Sequence, residues 1–248
     1  MPGPSLIKCL TLPDDHDWGG LTDTQTGPYY HHDNGCRVLG VAHLDTVMKC
    51  KPCRSGHTVF APQLDDRLGV WCLLNALPSM GIKLDVLLTT GEEKCRSTAS
   101  QFYSDKYNWI VEFDRAGDDI VFYQYEDFSA YWPGKVGMGS YSDIASMELG
   151  VMAANVGIGY HHQHTRYCYA DLRETAKQLR RFARFFKKYE NTRFPFTDDY
   201  YFSGRREASN KRWSSKYDYR DQEDMTLDEQ RDAWWRDKTD DIYWQTKK

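Results

Sequence analysis

The chain has 248 residues, 40% of them hydrophobic and 27% charged, which suits one globular domain with a large core and an appendage. A formal net charge of −4 gives no overall electrostatic basis for binding nucleic acid or a membrane surface. No stretch approaches the ~20 apolar residues of a membrane span, and the opening MPGPSLIKCLTLPDDHDWGG lacks the basic and apolar regions of a secretory signal.

Residues 1–36 are rich in Gly, Pro, Asp, His and Thr and are expected to form an irregular lead-in. From Val38 an α/β pattern begins. Val38–Ala42 and Thr58–Phe60 read as short strands. Leu68, Trp71, Cys72, Leu74 and Ala76 fall on a helix closed by Pro78 and Gly81. Leu84–Thr89 reads as a buried strand and Thr98–Phe102 as a short helix. Trp109–Phe113 and Ile120–Tyr125 read as strands, Ser142 as the cap of a helix to Leu149, and Val151–Val156 as another strand. In Leu172–Tyr189, Leu172, Ala176, Leu179, Phe182, Ala183 and Phe186 recur at helical spacing, with a solvated Arg/Lys face opposite. Alternating strands and helices predict an α/β domain over 37–190, a mixed, mostly parallel sheet between two helical layers.

Residues 191–248 hold four of the eight tryptophans but almost no Leu, Ile or Val, too little to build a core. This C-terminal extension is expected to wrap its aromatics onto the main domain, to dock on a partner or a second copy, or to stay partly disordered, with a short helix from near Thr226. Seven cysteines without an export signal read as reduced thiols of a cytoplasmic protein. Cys50 and Cys53 in KCKPC have half-site spacing, but no second pair follows at the usual interval, so they read as incidental.

Ligands of open α/β sheets gather at the carboxyl ends of strands. Here those ends carry His43 and Asp45, then Asp65 and Asp66, Glu92 and Glu93, Asp114, and the run His161, His162 and His164. One such aspartate is usually a turn or a cap. Five strand ends bearing imidazoles and carboxylates are the ligand set of a hydrolytic zinc site. In an extended segment the adjacent Glu92 and Glu93 point opposite ways and so take different jobs, one toward metal and one toward substrate as a base. The set suffices for two metals sharing a bridging carboxylate.

The ordered motifs AHLDT, LDDRLG, GEEK, EFDRAG and GYHHQHT resemble the co-catalytic di-zinc exopeptidases, which include bacterial leucyl-type aminopeptidases and carboxypeptidase-G-like enzymes. The resemblance spans about residues 37 to 172. It implies that His43 and Asp114 hold one zinc ion, Glu93 and His164 the other, and Asp65 both, with cobalt or manganese as substitutes. It further implies Glu92 as general base toward the attacking water, and Asp45 as the acceptor of the far N–H of His43. The peptide after Asp65 is expected to be cis. His164 is favoured over His161 and His162 because the family places its last ligand before Ser or Thr, here Thr165.

The short intervals between Glu93, Asp114 and His164 leave no room for the lid domain of many relatives, and Tyr167 and Cys168 stand where relatives carry an acidic residue. The expected activity is metal-dependent hydrolysis of peptide or amide bonds, aminopeptidase-like, with a small acylated amino acid as the alternative substrate class. A non-catalytic binding or assembly protein retaining the fold is the alternative of a different kind.

Overall fold

The first apolar run of the sequence lies at the centre of the main sheet, and chain order gives the remaining elements. The computed structural model describes residues 3–123, 131–137 and 142–194. They belong to a unit spanning Met1–Tyr200; a second unit, Tyr201–Lys248, lies outside the described residues. The strands are β1 (Leu21–Thr24), β2 (Gly27–His32), β3 (Val38–His43), β4 (Cys53–Ser55), β5 (Thr58–Phe60), β6 (Asp85–Thr89), β7 (Trp109–Arg115), β8 (Asp119–Tyr123), β9 (Lys135–Val136), β10 (Ala153–Gly157), β11 (Tyr160–His161) and β12 (Tyr169–Asp171). Among the described residues the main sheet runs β1-β2-β6-β3-β7-β10-β8-β9, and a smaller sheet runs β11-β12-β5-β4. In the main sheet the central β6-β3-β7-β10 block is parallel, while β1–β2, β2–β6 and β8–β10 pair antiparallel. All pairings in the small sheet are antiparallel.

The helices are α1 (Leu6–Thr11), α2 (Leu64–Trp71), α3 (Leu77–Ser79) and α4 (Leu172–Tyr189). A π-helical turn, Cys72–Ala76, joins α2 to α3 just before Pro78, which has no N–H to return to the preceding turn. Gly81, in the left-handed region at φ 75°, ends the run. α4 spans the expected residues, capped by the Asp171 carboxylate accepting from the Arg173 N–H. It buries Leu179, Phe182, Phe185 and Phe186, and the last three meet Trp109 edge-on with ring centroids 5.3–6.2 Å apart.

Strand alternation divides the core. Val38, Ala42, Val86, Leu88, Trp109, Val111 and Phe113 join the cluster that packs on α1, α2 and α4. Leu39, Val41, Leu87 and Ile110 are equally buried but face the other way. There the covering layer consists of 3₁₀ turns, Thr98–Gln101 and Asp143–Ser146, which contact β6 and β7 respectively. The two-sided sheet expected from the sequence is thus present, with one helical layer reduced to turns.

Several expectations need correction. The irregular lead-in proposed for residues 1–36 contains α1, β1 and β2, and β2 extends the main sheet by pairing with β6. β1 is almost wholly exposed, so it carries no apolar alternation by which to recognise it. The helix expected from Ser142 to Leu149 is only the turn Asp143–Ser146, and Ser142 makes no cap bond because its hydroxyl goes to Glu112. β8 ends at Tyr123 among the described residues, and residues 124–130 lie outside them. Of the extension, residues 191–194 are described, and Phe194 is buried on the main unit through backbone hydrogen bonds with Asn108 and Met152. The helix expected near Thr226 lies outside the described residues. No helix among the described residues is long and apolar enough to cross a membrane.

Candidate metal centre

In-register pairing of His43 with Thr89, of Val41 with Glu112, and of Glu112 with Asn155 puts one set of polar side chains on a single sheet face. Asp114, two residues after Glu112 in β7, shares that face. These polar residues sit toward the strands' carboxyl ends, where β6 gives way to Gly91, at φ 83°, and the 3₁₀ turn Glu92–Lys94.

His43, fully buried, is the hub. Its Nδ1 lies 2.9 Å from the Asp45 backbone carbonyl, which can only accept, so the neutral ring carries its proton there. Its Nε2 lies 3.4 Å from Asp114 Oδ1, 3.5 Å from Asp65 Oδ1 and 3.9 Å from Glu92 Oε2. Asp65 turns its other oxygen, Oδ2, to 3.1 Å from His164 Nε2, and Glu93 Oε2 is also 3.1 Å from that nitrogen. The structure therefore brings His43, Asp65, Glu92, Glu93, Asp114 and His164 together. Of the neighbouring histidines, His161 pairs instead with Glu174 at 2.9 Å, and the His162 ring lies against Tyr169.

Asp45 sits differently from expectation. Its carboxylate is 3.7 Å from His43 Nδ1 and instead accepts the backbone N–H groups of Gly91 at 2.9 Å, Glu92 at 3.4 Å and Glu93 at 3.2 Å. Three successive N–H groups in a tight turn suit an anion better than one imidazole does. Asp45 thus links the loop after His43 to the glutamate turn. That turn is 3₁₀ rather than extended, yet Glu92 still reaches toward His43 and Glu93 toward His164, because successive residues of such a turn lie ~120° apart.

The LDDRLG segment supplies both a face for the site and its anchor. The Asp65–Asp66 peptide bond is cis, as expected. Asp66 accepts the backbone N–H of His43 and that of Gly69, each at 3.1 Å. Both its oxygens are engaged with backbone, so Asp66 clamps β3 to α2, and it also lies within ligand distance of His43 and Asp114. A Cβ at Gly69 would collide with the Asp66 carboxylate and the Phe113 carbonyl, so glycine lets α2 approach β7 closely. Arg67, 1% exposed, donates to the Leu44 and Cys9 carbonyls and to Asp14, tying α1 and the loop after His43 to α2.

The charge balance is one-sided. Burial raises Asp114 well above the carboxylate range despite the nearby His43. Burial likewise lifts Glu92 to about 7, with Asp143, Glu93 and Asp65 adding to the rise and His43 opposing it. Hydrogen bonds to Asp65 and Glu93 raise His164 to about 11. Burial pushes Asp65 up, but its bond with His164 and the His43 imidazole beside it outweigh this and hold its carboxyl low. Burial thus favours the neutral acid at Asp114 and Glu92, while the paired carboxylates favour the charged form of His164.

This donor set fits cations. His43 Nε2 and Glu93 Oε1 are buried without a hydrogen-bond partner. Donors that each lie about 2.0–2.2 Å from a tetrahedral zinc are ~3.4 Å from one another, close to the spacings around His43 Nε2. Neither cluster of converging donors among the described residues includes Cys50 or Cys53, both of which are exposed.

The sequence reading missed Tyr160, Asn155 and Glu112. Tyr160 donates from its hydroxyl to Asp65 Oδ1 at 3.3 Å and Asp114 Oδ1 at 3.2 Å. Asn155 accepts the Asp114 N–H at 3.1 Å and donates to Glu112, fixing the end of β7. Glu112 and Asp143 are buried behind the site and bonded to Ser142 and Thr89 respectively. Glu112 and Asn155 could have been noticed as polar residues inside otherwise apolar strands.

No protein-family model matches the sequence, and no curated protein matches it. Among solved structures, aminopeptidase PepT from Bacillus cereus superposes with a TM-score of 0.52 at 11% identity, over 66% of this chain and 87% of that one. A tripeptidase from Staphylococcus aureus gives a TM-score of 0.49 at 8% identity, over 75% of this chain and 91% of that one. The chain has the α/β fold of the aminopeptidase PepT, a mixed sheet whose central strands are parallel.

Proposed function

We propose that the chain is a two-metal hydrolase of peptide or small amide bonds, most like an aminopeptidase. One observation carries this reading: Asp65 presents one carboxylate oxygen toward His43 and the other toward His164, the disposition of a ligand shared by two ions. His43 and Asp114 would hold one ion and Glu93 and His164 the other. When bound, zinc ions supply Lewis-acid polarisation of the scissile carbonyl and acidify the attacking water.

The chain's own residues would do the rest. Glu92 stands 3.9 Å from His43 Nε2 and belongs to neither cluster of converging donors among the described residues. Its carboxylate can take a proton from the attacking water and hand it to the leaving amine, a role favoured by its partial burial. Asp45 keeps Glu92 and Glu93 apart in direction by gripping both backbone N–H groups. His43 is locked by the Asp45 carbonyl and the Asp66 carboxylate, so its Nε2 is already aimed before any ligand arrives.

The same chemistry would cleave small acylated amino acids, and a panel of aminoacyl, acyl-amino-acid and dipeptide substrates separates the two classes. Zinc-loaded protein is expected to turn over at least one class, and Glu92→Gln to keep its zinc while slowing turnover by ~10²–10⁴-fold. Glu92→Gln protein as fast as wild type, or no hydrolysis anywhere in the panel, would sink the proposal and favour a binding protein that keeps the fold.

A further inference from the structure

Tyr160 has no part in the scheme above, yet it sits at its centre. The residue opens β11, with only two residues between it and the end of β10, and is 2% exposed. Its hydroxyl reaches two carboxylate oxygens from different elements: Asp65 Oδ1, on α2, at 3.3 Å, and Asp114 Oδ1, on β7, at 3.2 Å. Those same two oxygens face His43 Nε2, at 3.5 and 3.4 Å. The tyrosine hydroxyl is the donor to both, with one proton for two acceptors.

We propose that Tyr160 is a positioning residue of the metal centre, whose hydroxyl orients the Oδ1 atoms of Asp65 and Asp114 so that, with His43 Nε2, they can hold one ion. The inference rests on the two-metal reading. A buried tyrosine hydroxyl needs some acceptor, and any backbone carbonyl would satisfy it. Here the acceptors are two candidate ligands that share one target. A carboxylate oxygen has a second lone pair, so accepting from Tyr160 leaves each Oδ1 able to bind a cation and biases which lone pair is offered. The donor also offsets the repulsion between two carboxylates converging on one imidazole.

The Tyr160 backbone is itself fixed. Its carbonyl accepts from the Gly117 N–H at 2.9 Å, and β11 pairs with β12 through Tyr160 and Ala170. Four residues later the same segment supplies His164, so one stretch of chain carries a ligand of one position and the clamp of the other. Burial leaves the hydroxyl facing these two carboxylates and not solvent. Tyr160 therefore acts through its two partners rather than on the reacting atoms.

Tyr160→Phe tests this, since it keeps the ring and core volume and removes only the donor. Both zinc dissociation constants would be measured for wild type and variant by competition with a chelator, alongside the unfolding midpoint of each metal-free protein. Tyr160→Phe is expected to weaken one zinc position by about 10- to 100-fold, the range for losing a hydrogen bond to a metal ligand, and the other position less. A shifted visible absorption spectrum of the cobalt-loaded variant would support the same conclusion, because a purely structural tyrosine would not alter the coordination. Two unchanged zinc affinities, with or without a change in unfolding midpoint, would overturn the inference and leave the two-metal reading standing. Wild-type protein that takes up no zinc would overturn that reading, and the inference with it.

Discussion

Asp65 Oδ2 stands 3.1 Å from His164 Nε2, although the two residues are almost a hundred positions apart in sequence. With Oδ1 directed at His43, Asp65 is the residue that touches both halves of the site. Asp65→Ala is therefore expected to remove both zinc equivalents, whereas His43→Ala and His164→Ala each weaken one position more than the other. Zinc analysis after dialysis checks this, and an Asp65→Ala protein that still holds two equivalents would refute the bridging role.

The next residue is expected to behave differently. Asp66 spends both oxygens on the N–H groups of His43 and Gly69 and is fully buried. Asp66→Ala strands two backbone donors, each costing ~1–3 kcal/mol when left unsatisfied. Urea unfolding of the metal-free protein should show a loss on the order of 2 to 6 kcal/mol for Asp66→Ala. A stability equal to that of the wild type would show that the clamp is unimportant.

Protons and metal compete at His164. Hydrogen bonds to Asp65 and Glu93 raise this histidine from 6.5 to about 11. A raised histidine lends the metal-free fold a contribution that is fully present below the unfolded value near 6.5 and lost as pH climbs through about 11. The same proton must leave before Nε2 can bind a cation. Zinc affinity is thus expected to rise about tenfold per pH unit between roughly pH 6.5 and 8.5 for this one proton, with a matching proton release on calorimetry. A flat affinity across that range would contradict the pairing of His164 with two carboxylates.

Much of this centre is legible in the sequence because its carriers end apolar strands. His43 closes a buried run and Asp114 follows WIVEF, so their polarity stands out against the pattern. α4 is equally plain, since its buried phenylalanines recur at helical spacing. What pattern reading cannot show is how side chains meet across elements. Tyr160 looks like any strand aromatic until its hydroxyl is seen between Asp65 and Asp114. Asp45 looks like a partner for His43, but the tight turn at Gly91 offers it three N–H groups instead. The N-terminal α1 is only six residues long, too short for the spacing of Leu6, Cys9 and Leu10 to stand out, and β1 and β2 lack apolar alternation; they are ordered by contacts such as Arg67 with Cys9 and Asp14, and β2 with β6.

The central claim is that two ions lie either side of Asp65. Crystals grown with zinc and measured at the zinc absorption edge test it most directly. Two anomalous peaks are expected, one touching His43, Asp65 and Asp114, the other touching Asp65, Glu93 and His164, with Glu92 bound to neither. A single peak, a peak coordinated by Glu92, or zinc only at Cys50 and Cys53 would contradict the account.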